Sequence, residues 1–177
     1  PAGLLGTISY EFGGRRIPAS NTTPDPVRLQ GYLREMADRR VQACVMEVSS
    51  HALEQQRVRG VRFRAAVFTN LTQDHLDYHG TMSAYAKAKA KLFASLRPGG
   101  LAVLNLDSDA TPLMYDALPN GIRVIGFGRR EGATVRAVDI RCDADGTSFK
   151  LVMPQGEHDI RMPLPGEHNV ENALAAA

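Results

Sequence analysis

Apolar positions along this chain fall into two alternating patterns, short continuous runs and stretches with one apolar side every three or four residues. Leu4 to Tyr10 reads as a strand, with Gly13-Gly14 turning the chain into a short polar return. Thr22-Thr23-Pro24-Asp25-Pro26 is a helix start, with hydroxyl caps followed by proline and acid in the first turn. Leu29, Leu33, Met36 and Ala37 then supply a buried stripe as far as about Arg39. Ala43 to Val48 is nearly all apolar and closes on Glu47, the pattern of a central strand covered on both faces. Ala65 to Thr69 repeats that pattern and leads to Asp74-His75. Pro98-Gly99-Gly100 breaks the following helix before a strand at Leu101 to Leu106, a short helix near Thr111 to Leu118 and a strand at Arg123 to Phe127. This alternation predicts an α/β fold, a mostly parallel sheet flanked by helices.

The period changes at about Ala133. Residues 133–140 and 147–153 alternate every second position around Asp145-Gly146, which predicts a hairpin, with His158 to Met162 as a third short strand. The expected organisation is one domain over 1–177 that contains a small antiparallel β patch at 133–163. The opening at Pro1 and a closing stretch, Asn169 to Ala177, that reads as the first turns of a helix lead to the expectation of a piece of a longer protein.

Between Met82 and Leu96 the apolar positions Met82, Tyr85, Ala86, Leu92, Phe93 and Leu96 mark one face of a helix, and Lys89 falls on that face. Lys87 and Lys91 point the other way. A lysine on a buried stripe carries a desolvation cost unless something neutralises or uses it. Periodicity alone leaves two readings open: a stem that snorkels to solvent, or an amine with a function.

Composition narrows the class. The 177 residues are 44% hydrophobic and 23% charged, as in ordinary globular domains. The net charge of +2 is dispersed, with no basic arm for nucleic acid or a membrane surface. No apolar run reaches membrane-span length. Cys44 and Cys142, far apart and unpaired in spacing, point to a reducing, cytoplasmic setting and away from a cysteine-built zinc site.

Ligands of open parallel sheets collect at the carboxyl ends of strands. Glu47, Ser49 and His51 fall at one such end, Asn70, Asp74 and His75 at the next, and Lys89 on the helix beside them. Each has a plainer reading: Glu47 as a surface carboxylate, His75 as a hydrogen-bonded loop histidine. For Asp77 and His79 the preferred reading is a turn or capping role.

Four segments carry a resemblance: Asn21-Thr22-Thr23, Met46-Glu47-Val48-Ser49-Ser50-His51, the string from Asn70 to Gly80, and Gly166-Glu167-His168-Asn169-Val170-Glu171-Asn172. Together they resemble the Mur ligases, ATP-dependent amide ligases of bacterial cell-wall precursor synthesis, and among these the MurE-type branch. The likeness spans nearly the whole chain and implies the central, P-loop-type domain of a three-domain enzyme. That enzyme adds a diamino acid, meso-diaminopimelate or L-lysine, to UDP-N-acetylmuramoyl-L-alanyl-D-glutamate through an acyl phosphate.

The resemblance implies roles at matching positions. Lys89 matches a lysine carried as an N-carboxylated side chain, an anion that binds magnesium. Glu47 and His75 match the other protein ligands of that ion, and this oxygen-rich set suits Mg2+, with Mn2+ as the alternative. Asn21, Thr22, Thr23, Ser49, Gln55 and Arg57 match positions that hold the UDP-muramoyl dipeptide. Asn169 and Asn172 match the helix start on the adenine side of ATP.

The chain also departs from the family pattern. The glycine-rich loop ending in Gly-Lys-Thr that cradles ATP phosphates does not occur in it, so the expectation is negligible ligation by this piece alone. Three rivals stay open. They are a folylpolyglutamate synthase-like ligase, a metal-dependent hydrolase using Asp74, His75, Asp77 and His79, and a non-catalytic scaffold.

Overall fold

The structure is a computed structural model that describes residues 1–72 and 74–177; Gln73, in the string quoted above, lies outside the described residues. It divides into two compact units, Pro1–Val61 with His75–Leu92, and Arg62–Asp74 with Phe93–Ala177.

The first unit holds a four-stranded sheet built from β1 (Ala2–Leu5), β2 (Ser9–Phe12), β3 (Arg15–Pro18) and β4 (Ala43–Met46), in the order β3-β2-β1-β4. The apolar run expected as one strand over Leu4–Tyr10 is therefore two. Gly6-Thr7-Ile8 turns the chain, with Gly6 N–H donating to Ser9 O, so that Leu4 pairs antiparallel with Glu11. Only β4 joins β1 in parallel, Leu5 facing Met46. The expected central strand at 43–48 is thus an edge strand, with Val45 62% exposed. Apolar content reports the need for cover, whereas neighbours across a sheet are set by backbone pairing, which a run of valines does not encode.

Helix α1 (Pro26–Asp38) begins at Asp25, whose carboxylate accepts from the N–H groups of Val27 and Arg28. The expected hydroxyl caps, Thr22 and Thr23, are engaged elsewhere. Leu29 and Met36 are buried, Leu33 is half-buried, and Ala37 stays exposed. Glu35 receives Arg15 of β3 at 2.6 Å and Arg39 at 2.9 Å; the Arg15 hydrogen bond holds its carboxyl below the usual range. Two short helices, α2 (Ser50–Glu54) and α3 (Leu76–His79), were not anticipated because each is shorter than two turns of periodicity. Helix α4 (Met82–Ala94) follows the expected stripe: Tyr85, Ala86 and Phe93 are buried, Lys87 and Lys91 are exposed, and Lys89 is half-buried.

In the second unit, β5 (Phe63–Phe68), β6 (Leu96–Asn105), β7 (Arg123–Gly128), β8 (Val135–Asp143), β9 (Gly146–Met153) and β10 (Gly156–Met162) form one sheet in the order β10-β9-β8-β7-β6-β5. Strands β5 to β8 are parallel, and β8 to β10 antiparallel, as the change of period at 133 required. Gly146 closes the predicted hairpin at φ +143, and a Cβ there would run into the Met162 carbonyl oxygen. Helix α5 (Thr111–Asp116) follows β6, and α6 (Glu167–Ala176) covers one face of the sheet. Val170 and Leu174 of α6 share a core with Phe127, Val135, Ala137, Phe149 and Leu151. The mixed sheet with its flanking helices is the expected α/β class.

Candidate functional site

Most of the sequence-selected residues lie in the first unit, gathered by a hydrogen-bond chain that starts at a buried threonine. Thr23 is 0% exposed. Its hydroxyl donates to Glu47 O at 2.9 Å and accepts from Ser49 N–H at 3.0 Å, bridging the segment that leaves β4. Ser49 caps α2 by accepting from Ala52 N–H at 3.2 Å. Arg57 donates Nη1–H to Thr23 O at 3.0 Å and Nε–H to Gln55 Oε1 at 2.9 Å. Asn21 is fixed through its backbone, its carbonyl accepting from the Tyr10 hydroxyl, while Thr22 Oγ1 lies 3.2 Å from Thr7 Oγ1. Thr23, Ser49, Gln55, Arg57 and the backbone of Glu47 are therefore one connected set.

The Glu47 side chain faces solvent and is oriented by Thr7, which donates its hydroxyl at 2.7 Å and its N–H at 3.3 Å. Gly6 leaves room for it, since a Cβ there would lie 2.7 Å from Glu47 Oε1. Sequence reading missed Thr7 altogether. Nothing local marks a threonine in a turn as the partner of a carboxylate forty positions away.

The imidazole side of the site is a group of stacked rings. His75, the residue preceding α3, is half-buried with φ 56, a left-handed backbone that costs a non-glycine residue about 1 kcal/mol or more. Its ring meets His51 at 4.9 Å and Tyr85 at 5.7 Å, both edge-on. Tyr85 stacks on His79 at 5.1 Å, and Lys89 Nζ stands 5.1 Å from the Tyr85 centroid. His79 Nε2 lies 2.9 Å from Ser50 Oγ. Burial, and then the neighbouring His51, push the His79 imidazole below the usual histidine range. The turn-or-cap reading of His79 is thus too modest, because its ring ties α3 to α2 and α4. Asp77 is exposed at the first turn of α3, as that reading expects.

Among the described residues no three His, Cys, Asp or Glu side chains gather as metal ligands, as the alternative hydrolase centre of Asp74, His75, Asp77 and His79 would need.

In the second unit, Asn169 and Asn172 lie on the first turns of α6. Asn169 Nδ2 donates to Pro165 O at 2.9 Å, and Asn172 is exposed. The start of α6 is tied to the sheet through Arg129, which reaches Glu167 at 2.6 Å and Asp107 at 3.3 Å. Asp107 also accepts from the N–H groups of Arg129 and Arg130. Burial opposes the Arg129 charge, but Asp107 and Glu167 outweigh it and raise its affinity for the proton.

Thr23→Val keeps the shape of the junction while leaving Ser49 N–H and Glu47 O without this partner. The expected cost is about 1–3 kcal/mol, read as a lower midpoint in urea unfolding; an unchanged midpoint would show that the bridge contributes nothing.

The family described as Mur ligase middle domain matches residues 2–177. A UDP-N-acetylmuramoyl-L-alanyl-D-glutamate--2,6-diaminopimelate ligase from Geobacter metallireducens is 46% identical over 183 residues, covering 99% of this chain and 35% of that protein. One from Geobacillus kaustophilus is 45% identical over 181 residues, covering 99% of this chain and 37% of that one. A solved structure bearing the same enzyme name superposes with a TM-score of 0.86 at 35% identity, over 99% of this chain and 36% of the other. The chain thus spans about a third of the length of these relatives.

Proposed function

Because the chain belongs to the Mur ligase family, we propose that it is the central domain of an ATP-dependent ligase that joins 2,6-diaminopimelate to UDP-N-acetylmuramoyl-L-alanyl-D-glutamate. The observation that carries this reading is the agreement of whole-chain identity with the site: the family-matching residues Thr23, Ser49, Gln55 and Arg57 form one hydrogen-bonded set. The names of the relatives favour diaminopimelate over lysine as the incoming amino acid.

In this reading Asn21, Thr22, Thr23, Ser49, Gln55 and Arg57 hold the UDP-muramoyl dipeptide. Arg57 brings a planar, permanently charged fork suited to phosphate or carboxylate, and Gln55 and Thr23 fix its plane. Asn169 and Asn172 serve the adenine side of ATP from the start of α6, a helix braced by Arg129.

Glu47, His75 and Lys89 would hold a magnesium ion, with manganese as a substitute. Their chemistry supports this reading: a solvent-facing carboxylate held by Thr7, an imidazole met by two rings, and a half-buried amine on the same tyrosine as that imidazole. The Lys89 amine completes the set by adding to carbon dioxide. The nitrogen lone pair forms the new N–C bond, one C=O pair moves onto oxygen, and a proton leaves to solvent. When bound, the ion neutralises phosphate charge during transfer. The residues themselves align the D-glutamate carboxylate for attack on the γ-phosphorus, from which ADP departs, and then hold the acyl phosphate while the diamino acid amine displaces phosphate.

The test is ADP release by a longer protein containing residues 1–177. The expected result is release that requires both the muramoyl dipeptide and 2,6-diaminopimelate. Release driven instead by folate and glutamate, or no release with either pair, would overturn the assignment.

A further inference from the structure

Tyr85 is 5% exposed, and a buried aromatic ring on a helix is ordinarily core filler. The neighbours of this one are unusual, because three of them carry nitrogen. His79 stacks on it with ring planes 18° apart, His75 meets it edge-on at 81°, and Lys89 Nζ stands 5.1 Å from its centroid. His79 is in turn held by Ser50, which is 2% exposed at the first position of α2. On its other side His75 is edged by His51, and His51 rests against Tyr78 at 4.1 Å.

We propose that Tyr85 is a positioning residue for the His75 imidazole, its ring locked by the His79–Ser50 contact so that it fixes the plane in which His75 presents its nitrogen. The proposal rests on the reading of His75 as a metal-side residue. His75 precedes α3 on a left-handed backbone, and its ring is met by side chains from α2 and α4. Two edge-to-face contacts, from Tyr85 and His51, bear directly on it. Such contacts have preferred geometry as well as area, and partners of this kind orient a ligand without touching the ion.

The experiment compares the wild-type chain with Tyr85→Phe, Tyr85→Leu and His79→Asn, each first checked for a cooperative unfolding transition. Two quantities are read: the 15N imidazole spectrum of His75 in the metal-free protein, and the affinity for Mn2+ in bicarbonate buffer by calorimetry. Wild type and Tyr85→Phe should show the same His75 spectrum and equal Mn2+ affinity, because both keep the ring edge against His75. In Tyr85→Leu the His75 spectrum should move toward the averaged pattern of exposed His158, and Mn2+ should bind about fivefold more weakly, the worth of one aromatic pair. His79→Asn should act in the same direction without opening the core at Tyr85, and it decides the matter if Tyr85→Leu does not fold. A folded variant, Tyr85→Leu or His79→Asn, with the His75 spectrum of wild type overturns the proposal. Absence of Mn2+ binding by the wild type would instead defeat the metal reading, leaving the spectra to decide the role of Tyr85.

Discussion

Lys89→Met, placed in a ligase that contains this domain, is expected to lower diaminopimelate-dependent ADP release by at least about a hundredfold, the scale set by losing one group that stabilises transition-state charge. Methionine retains the unbranched stem and suits a helix interior. The apolar stripe of α4 through Tyr85, Ala86 and Phe93 is therefore preserved. What disappears is the nitrogen that stands over the Tyr85 ring. The variant should unfold at about the same temperature as the wild type, because the methionine stem still fills the half-buried position. Activity and stability must therefore separate. A variant that turns over normally would sink the assignment of Lys89, and one that loses both together would show that the residue is structural. Lys87→Met, on the exposed side of the same helix, is the matched control and should change neither quantity.

The second large effect is on stability. Phe127 is 0% exposed and packs in the core that holds Val135, Phe149, Val170 and Leu174. Phe127→Ala should cost about 3–5 kcal/mol, the lost transfer of the ring plus the cavity left behind. The loss should fall first on α6, because Val170 and Leu174 are the residues it buries in that core. Amide exchange in α6 and β7 should accelerate before that in the first unit. If all amides accelerate equally, unfolding is global, and α6 is no more vulnerable than the rest. On the adenine-side role proposed for Asn169, nucleotide affinity in a ligase that contains this domain should fall with the same variant.

The β8–β9–β10 region was legible because its signals are local: alternation every second residue and an Asp-Gly pair whose glycine has a backbone few other residues accept. Helix α4 was legible for the same reason, through its 3.6-residue period. The first sheet was legible only at Gly13-Gly14, the turn that joins β2 to the polar strand β3. Its three antiparallel strands required a turn at Gly6-Thr7-Ile8 inside an apolar run, and no proline or paired glycine marks that turn. The candidate site divides in the same way. Glu47, His75 and Lys89 were selected from local context and family-like spacing. Thr7, the role of the Tyr85 ring, the contact of His51 with His75 and the His79–Ser50 contact emerged only when distant segments came together.

The order of residues by itself determined the α/β class, the antiparallel end of the second sheet, and a lysine on the apolar face of its helix. Periodicity and turn chemistry act over a few neighbouring positions, so they can be read without coordinates. Tertiary structure alone decided that β4 and β5 lie at sheet edges, that Thr7 orients Glu47, and that one tyrosine ring serves both His75 and Lys89. Those outcomes depend on which backbone groups find partners and on how side chains far apart in sequence pack, and no local pattern carries that information.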